Sequence, residues 1–270
     1  MEKKEAFKFT GRDAEYYDDL LGPILFEPYG RYLASRIETG NLGSVLEIAA
    51  GTGRVTRHIR KVLPPTVKLT ATDISDDMLS IAKRALIDEE VSFRIEDAQN
   101  LSFEDNSFDL VICQFGMMFL PDRNKGFREI YRVLKSGGKL MCFTWDDTMN
   151  MPLFKTIINE QIIPIFSGED TNRFFVPFSM HDPAVLMNHL VNAGFRSPRV
   201  EYVKLNTIAP NAENVVNALF RKHMLGKEVA AKDPELFEPL ASKIEKELIT
   251  QFGDSALEFE LSALLTISAK

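Results

Sequence analysis

From Ser44 to Trp145 the chain alternates short β-favouring runs with amphipathic helical stretches, an order that admits few folds and yields a parallel sheet with helices on both faces. The first run, Ser44 to Ala49, leads through a glycine turn into a helical pattern with Val55, Ile59, Val62 and Leu63 on one face, stopped by Pro64 and Pro65. Val67 to Thr72 reads as a second strand. Ser75 then stands where an N-cap belongs, with Asp76 and Asp77 in the first turn and Met78, Ala82 and Ala85 as the inward stripe. Strands at Val91 to Ile95 and Phe108 to Cys113 follow. A helix carrying Phe127, Ile130, Tyr131 and Leu134 then runs into Gly137-Gly138, and Lys139 to Trp145 is the fifth strand.

Beyond Trp145 the alternation breaks. Residues 146–180 form an insertion rich in phenylalanine and proline, with the run Arg173-Phe174-Phe175-Val176-Pro177-Phe178, which reads as a lid over the sheet edge. Asp182 as N-cap and Pro183 at the first helical position open a helix that ends at Gly194, and a strand follows near Arg199 to Leu205. Two more helical patterns, Ala212 to Leu225 and Pro234 to Phe252, are each closed by a glycine, Gly226 or Gly253. The odd positions from Leu257 to Ala269 are apolar and alternate with polar ones, Leu264 excepted, which predicts an edge or antiparallel strand.

The expected architecture is therefore α/β: a Rossmann-like, doubly wound, mostly parallel seven-stranded sheet with an antiparallel C-terminal strand and helical lid insertions. One domain spans 1–270. It divides into an N-terminal helical cap (1–43), a ligand-binding core (44–145), insertions at 146–180 and 208–254, and a last strand within 255–270.

Composition narrows the function. A chain of 270 residues, 45% hydrophobic and 26% charged, buries a full core without staples. Its net charge of -7 argues against a sequence-independent grip on nucleic acid. The two cysteines, Cys113 and Cys142, lie in apolar strands and read as core thiols of a reducing cytoplasm, too few for a disulfide framework or a zinc site, so no metal is expected. The opening stretch MEKKEAFKFT holds no apolar block like a leader, and the apolar run from Leu110 to Leu120 is too short to cross a bilayer, so no membrane role is expected.

The informative segment is Val45-Leu46-Glu47-Ile48-Ala49-Ala50-Gly51-Thr52-Gly53, a buried strand running into a small-residue turn that opens a helix. Such a turn lets backbone N–H groups approach a nucleotide-like ligand, helped by the positive end of the helix dipole. Read as structure alone, it is a tight connection needing positive φ. Asp73, at the end of the second strand, shifts the balance, because a carboxylate there can accept both ribose hydroxyls of an adenosine. The segment Glu96-Asp97-Ala98-Gln99-Asn100-Leu101 brings another acid to the same edge, where Asp97 can accept the adenine amino hydrogens.

With these residues the chain resembles class I S-adenosylmethionine-dependent methyltransferases, similar to the quinone-biosynthesis type and its small-molecule relatives. Glu47, Ala49, Gly51 and Gly53 fall on that family's acid-and-glycine motif, with Ala49 in place of a usual glycine. The segment from Cys113 to Asp122 is similar to its fourth-strand signature, and Val133 to Gly138 to its turn before strand five. The resemblance implies S-adenosylmethionine as cofactor and a methyl transferred to a small-molecule acceptor. It assigns the cofactor to Glu47, Ala49, Ala50, Gly51, Thr52, Gly53, Asp73, Ile74, Met78, Asp97, Ala98 and Gln114, with Asp73 on the ribose, Ile74 and Met78 flanking the adenine, Asp97 and Ala98 at its polar edge and Gln114 beside the sulfonium.

Two other functions fit less of the sequence. A nicotinamide-dependent dehydrogenase wants G-x-G-x-x-G, and Thr56 occupies the third glycine position. A catalytically silent cofactor-binding module would use the insertions as contact surfaces. Methyl transfer from a sulfonium needs chiefly position and exclusion of water. Tyr17, Asp146 and His181 are the possible bases and none is assigned. His181 reads as part of a helix entry, while His58, His189 and His223 lie on helical patterns and read as structural or exposed. Tyr16 to Tyr29 resembles a segment that relatives fold over the cofactor, and equally suits core packing. The phenylalanine-rich lid points to an apolar or aromatic acceptor, or to a lid that packs its own small core. The sequence admits a homodimer.

Overall fold

In the computed structural model, which describes residues 12–270, the β-favouring runs become β1 (Ser44–Ile48), β2 (Lys68–Asp73), β3 (Val91–Ile95), β4 (Phe108–Gln114), β5 (Leu134–Trp145), β6 (Arg196–Ala209) and β7 (Leu257–Ala269). The opening stretch read for a leader, and with it the start of the expected N-terminal cap, lies outside the described residues.

The strands form one seven-stranded sheet in the order β3-β2-β1-β4-β5-β7-β6. β1 pairs in parallel with β2 and β4, β2 with β3, and β4 with β5, whereas β7 runs antiparallel to both β5 and β6. The Rossmann-like, mostly parallel sheet with its antiparallel C-terminal strand is thus present. Val45, Leu46, Val111 and Ile112 on the central strands are fully covered, as expected where helices pack on both faces. Strand order reverses between β1 and β4, and at such a reversal the loops leaving the carboxyl ends part and leave a crevice.

Local chemistry sets many boundaries. The helix Asp76–Ala85 is capped by Ser75, whose side chain accepts from the Met78 N–H, and Pro183–Ala193 opens on Asp182 and stops at Gly194 in a left-handed conformation (φ 100°). Elsewhere packing overrides the pattern. Val62 is exposed and Ala85 lies outside the covered stripe, which is made by Met78, Leu79, Ala82 and Leu86. β5 begins at Leu134, five residues before the expected start, because the helix before it ends at Val133 and the chain passes Gly137 (φ 78°) without leaving the sheet. β6 runs to Ala209, so the second insertion begins after the 208 boundary.

Gly226 does not end a helix. The chain breaks instead at Lys222 and His223, and Gly226 sits inside the helix Met224–Lys232, where a Cβ would lie 2.3 Å from the Phe220 carbonyl oxygen. β7 is antiparallel but internal, lying between β5 and β6. Its polar face is exposed at Glu258 and Glu260, while Ser262, Leu264 and Thr266 on the same face are covered.

Candidate active site

The turn leaving β1 is held in backbone conformations that side chains resist: Ala49 has φ 55°, Gly51 57° and Gly53 80°. Ala49 tolerates this without a glycine's freedom because its methyl fills a gap on β4's exit loop. A Cβ on Gly116 would lie 2.5 Å from the Ala49 Cβ and 2.9 Å from Cys113 Sγ, so the bare Gly116 leaves room for the Ala49 methyl.

Asp73 closes the same turn from β2. Its Oδ2 accepts from the Gly51 N–H at 2.9 Å and its Oδ1 from the Ser75 N–H at 2.9 Å, which fixes the carboxylate plane and leaves further lone pairs on both oxygens. Burial raises its pKa, and the N–H donors of Ser75 and Gly51 oppose that rise.

Asp73 faces a crevice of about 810 Å³, its open mouth included, at the rim of β1, β2 and β4. Of the residues singled out from sequence, Ala49, Gly51, Asp73, Ile74, Met78, Asp97, Ala98 and Gln114 line it together. Asp97 is oriented by Gln99, whose backbone N–H donates to Oδ1 at 2.8 Å and whose side-chain Nε2 donates at 3.2 Å. Gln114, nine-tenths buried, donates from Nε2 to the Phe26 carbonyl at 3.0 Å, while its Oε1 is buried with no partner among the described residues.

Glu47, Ala50, Thr52 and Gly53 do not line the crevice. The Ala50 N–H donates to the Thr72 carbonyl at 2.9 Å. The Thr52 hydroxyl donates to Asp18 Oδ1 at 2.5 Å beside Arg54, whose Nε donates to the same oxygen at 2.7 Å, so this residue ties the N-terminal segment to the turn. Gly53 lets the helix Arg54–Val62 start against its neighbour, since a Cβ there would meet Ala82 at 3.0 Å. Glu47 lies beneath the turn, and burial pushes its carboxyl up to about 8; its Oε2 has no hydrogen-bond partner among the described residues.

The structure adds wall residues that had no individual role assigned, among them Ser75, and Gln99, Phe115, Gly116 and Leu120 from within the segments already singled out. Three wall residues, Tyr17, Phe115 and Phe119, line a second cavity as well, one of about 710 Å³. Phe115 is held with φ 57° and stacks on Trp145 at 3.8 Å between ring centroids. The rest of the second cavity comes from distant parts of the chain: Leu21, Leu25 and Phe26 near the start, Phe154, Ile158, Phe174 and Phe178 from the first insertion, and Leu219, His223 and Leu225 from the second. Three wide π-helical segments contribute walls, Tyr17–Phe26, Lys155–Ile162 and Asn217–Arg221. Such turns recur where helices are shaped around a site.

Of the candidate bases, Tyr17 lines both cavities, and burial together with the charges of Asp73 and Asp18 raises its pKa strongly. Asp146 lines neither; its oxygens accept from the Asp147 N–H, the Asn150 amide and the Ser262 hydroxyl. His181 also lines neither, its Nδ1 lying 2.8 Å from the Phe178 carbonyl oxygen at the helix entry. His58 contacts Glu27 and His189 contacts Asn124, both away from the crevice.

Residues 46–142 match the model of the methyltransferase domain family. The chain is 30% identical over 214 residues to the ubiquinone/menaquinone biosynthesis C-methyltransferase UbiE of Ectopseudomonas mendocina, a match covering 73% of this chain and 82% of that protein. In fold it is similar to the YcgJ protein of Bacillus subtilis, with a TM-score of 0.59 at 18% identity over 90% of this chain and 98% of the other. It is similar also to phosphoethanolamine N-methyltransferase 2 of Haemonchus contortus in complex with S-adenosyl-L-methionine, with a TM-score of 0.56 at 19% identity over 95% of this chain and 56% of that one.

Proposed function

Because the chain belongs to the class I S-adenosylmethionine-dependent methyltransferases of the quinone-biosynthesis type, and so transfers a methyl group from that cofactor to a small-molecule acceptor, we propose that the crevice at β1, β2 and β4 holds the cofactor and the apolar cavity beside it holds the acceptor. The dehydrogenase and the silent module both give way to this family membership.

The observation that carries the reading is the shared partition. Tyr17, Phe115 and Phe119 line both a crevice that carries Asp73, Glu96 and Asp97 and an aromatic cavity without an acid, so two different ligands can meet across them. The polar side fits the cofactor. Asp73, pinned by two backbone N–H groups, keeps lone pairs for the ribose hydroxyls. Ile74 and Met78 offer an apolar slot for adenine, with Asp97 and Ala98 at its polar edge. Gln114 Oε1, on the crevice wall, is a buried acceptor that lacks a donor among the described residues, and a buried acceptor left so costs about 1–3 kcal/mol. The ammonium of the cofactor would supply that donor. We assign Ala50, Thr52 and Gly53 to shaping the turn.

The bound cofactor supplies an electrophilic methyl; the chain supplies position and a dry cavity. Among the described residues no Asp or Glu lines the acceptor cavity, and the one cationic side chain there, Arg173, is held by Glu228 and the Asp170 carbonyl. A neutral apolar or aromatic acceptor is therefore favoured over an amine, whose ammonium would be buried without a counter-charge. Residues 12–43, 146–180 and 210–254 act as one lid on a single methyltransferase domain. Cys113 and Cys142, buried as free thiols on adjacent strands, favour a reducing, cytoplasmic setting.

The test is calorimetric titration of S-adenosylhomocysteine into the protein and its Asp73→Ala variant. Loss of the charge-assisted bonds weakens binding about tenfold to a hundredfold. Equal affinity in the two proteins removes the ribose assignment.

A further inference from the structure

Resting on the assignment of the apolar cavity to the acceptor, we propose that His223 is the specificity-determining residue of that cavity, its Nε2–H donating a hydrogen bond to an oxygen carried by the acceptor and so fixing which edge of the acceptor turns toward the partition. His223 stands in extended backbone (φ -105°, ψ 161°) between the π-helical segment Asn217–Arg221 and the helix Met224–Lys232, and its side chain lines the cavity. As the N-cap of that helix, its Nδ1 accepts from the Leu225 N–H at 3.3 Å.

That bond decides the tautomer. A neutral imidazole has one nitrogen that accepts and one that donates, so with Nδ1 accepting, the proton sits on Nε2. Burial, aided by the nearby charge of Lys227, lowers the imidazole pKa to about 4, so the ring is neutral at physiological pH. Nε2 is thus a donor and cannot serve as a base. Among the described residues no other hydrogen bond reaches this ring.

The surroundings leave few rivals for this task. Arg173 is tied to Glu228 and Asp170 and lies over the rings of Phe166 and Phe174. Trp145 presents its stacked face to Phe115. Tyr17 stands at the partition, and the remaining walls are chiefly Leu, Ile, Met and Phe; there a single directed N–H discriminates strongly, because an acceptor lacking the oxygen leaves that donor unpaired.

Trp145, the chain's one tryptophan, lines the cavity and reports its occupancy by fluorescence. With S-adenosylhomocysteine present, para-butylphenol and its hydroxyl-free analogue para-butyltoluene are titrated against the protein and two variants. His223→Asn keeps the helix cap but not the reach of Nε2; His223→Gln places an amide N–H near the Nε2 position. The expected result is that para-butylphenol binds the parent protein more tightly than para-butyltoluene, weakens about tenfold in His223→Asn and recovers in His223→Gln, while para-butyltoluene is unaffected. Equal binding of both probes to the parent, or equal weakening of both in His223→Asn, overturns the role of His223 and leaves the acceptor cavity standing. If neither probe perturbs Trp145 although S-adenosylhomocysteine binds, the cavity assignment falls and takes this proposal with it.

Discussion

The two cavities are neighbours built by opposite means. The polar crevice is made by turns at the ends of adjacent strands, with its groups fixed by short backbone bonds such as Gly51 N–H to Asp73. The apolar cavity is assembled from helical segments that the chain brings from both ends, and rings packed on rings hold its walls. The difference teaches that, on the proposed assignment, affinity for the cofactor is written into sheet geometry while acceptor choice rests on tertiary packing between distant segments.

The largest break is expected on the apolar side. Phe154 is 4% exposed and meets Phe178 edge-on at 4.9 Å between centroids. Phe154→Ala is expected to cost about 3–5 kcal/mol of stability in urea unfolding. It should also loosen acceptor binding while the S-adenosylhomocysteine affinity stays within twofold (roughly 0.4 kcal/mol). A parallel loss of cofactor affinity would show that the two cavities are not energetically separable.

On the polar side the next effect is pH-dependent. Burial pushes the Glu47 carboxyl up to about 8 in the folded chain, against 4.5 for a solvated glutamate, so between those values its folded form holds a proton that the unfolded form has lost. Its contribution to stability is full below pH 4.5 and is lost as pH rises through about 8, a decline on the order of a few kcal/mol for so buried a group. A cationic ligand reverses the slope, so cofactor affinity rises over the same window. Glu47→Gln should flatten both curves, which urea unfolding and calorimetry across pH would read; slopes that persist in the variant exclude Glu47 as their source.

The smallest effect sharpens the boundary between the halves. Gly116→Ala drives a methyl toward Ala49 and Cys113 and is expected to cost about 1–3 kcal/mol. Combined with Ala49→Gly, most of that cost should vanish, leaving a coupling of about 1 kcal/mol in a double-mutant cycle. Additive losses would mean that the two turns do not share the space.

Much of the sheet was legible because its signals are local. Alternation, proline stops and the Ser75 and Asp182 caps located β1 to β4 and the helices those caps open to within a residue or two, and β3 coincides with its expected range, whereas β5 and β6 begin earlier than expected. Where a residue's state depends on what packs against it, the pattern misled. Gly226 looked like a helix stop and is instead the point where Phe220 and Phe237 close on the helix. Thr52 looked like part of the ligand turn and is taken by Asp18, which only the return of the N-terminal segment delivers. His223 read as structural or exposed on a helical pattern, since the distant segments that complete the cavity it lines leave no mark on the residues around it.

The sequence by itself determined the alternating core, the small-residue turn after β1 and the acids at the ends of β2 and β3, because each follows from interactions within a few residues. Only the tertiary structure decided that β7 lies inside the sheet, that Ala49 and Gly116 share one gap, and that an aromatic cavity adjoins the polar crevice. Those features arise from contacts between segments distant in the chain, and their energy depends on shape and burial that no local pattern encodes.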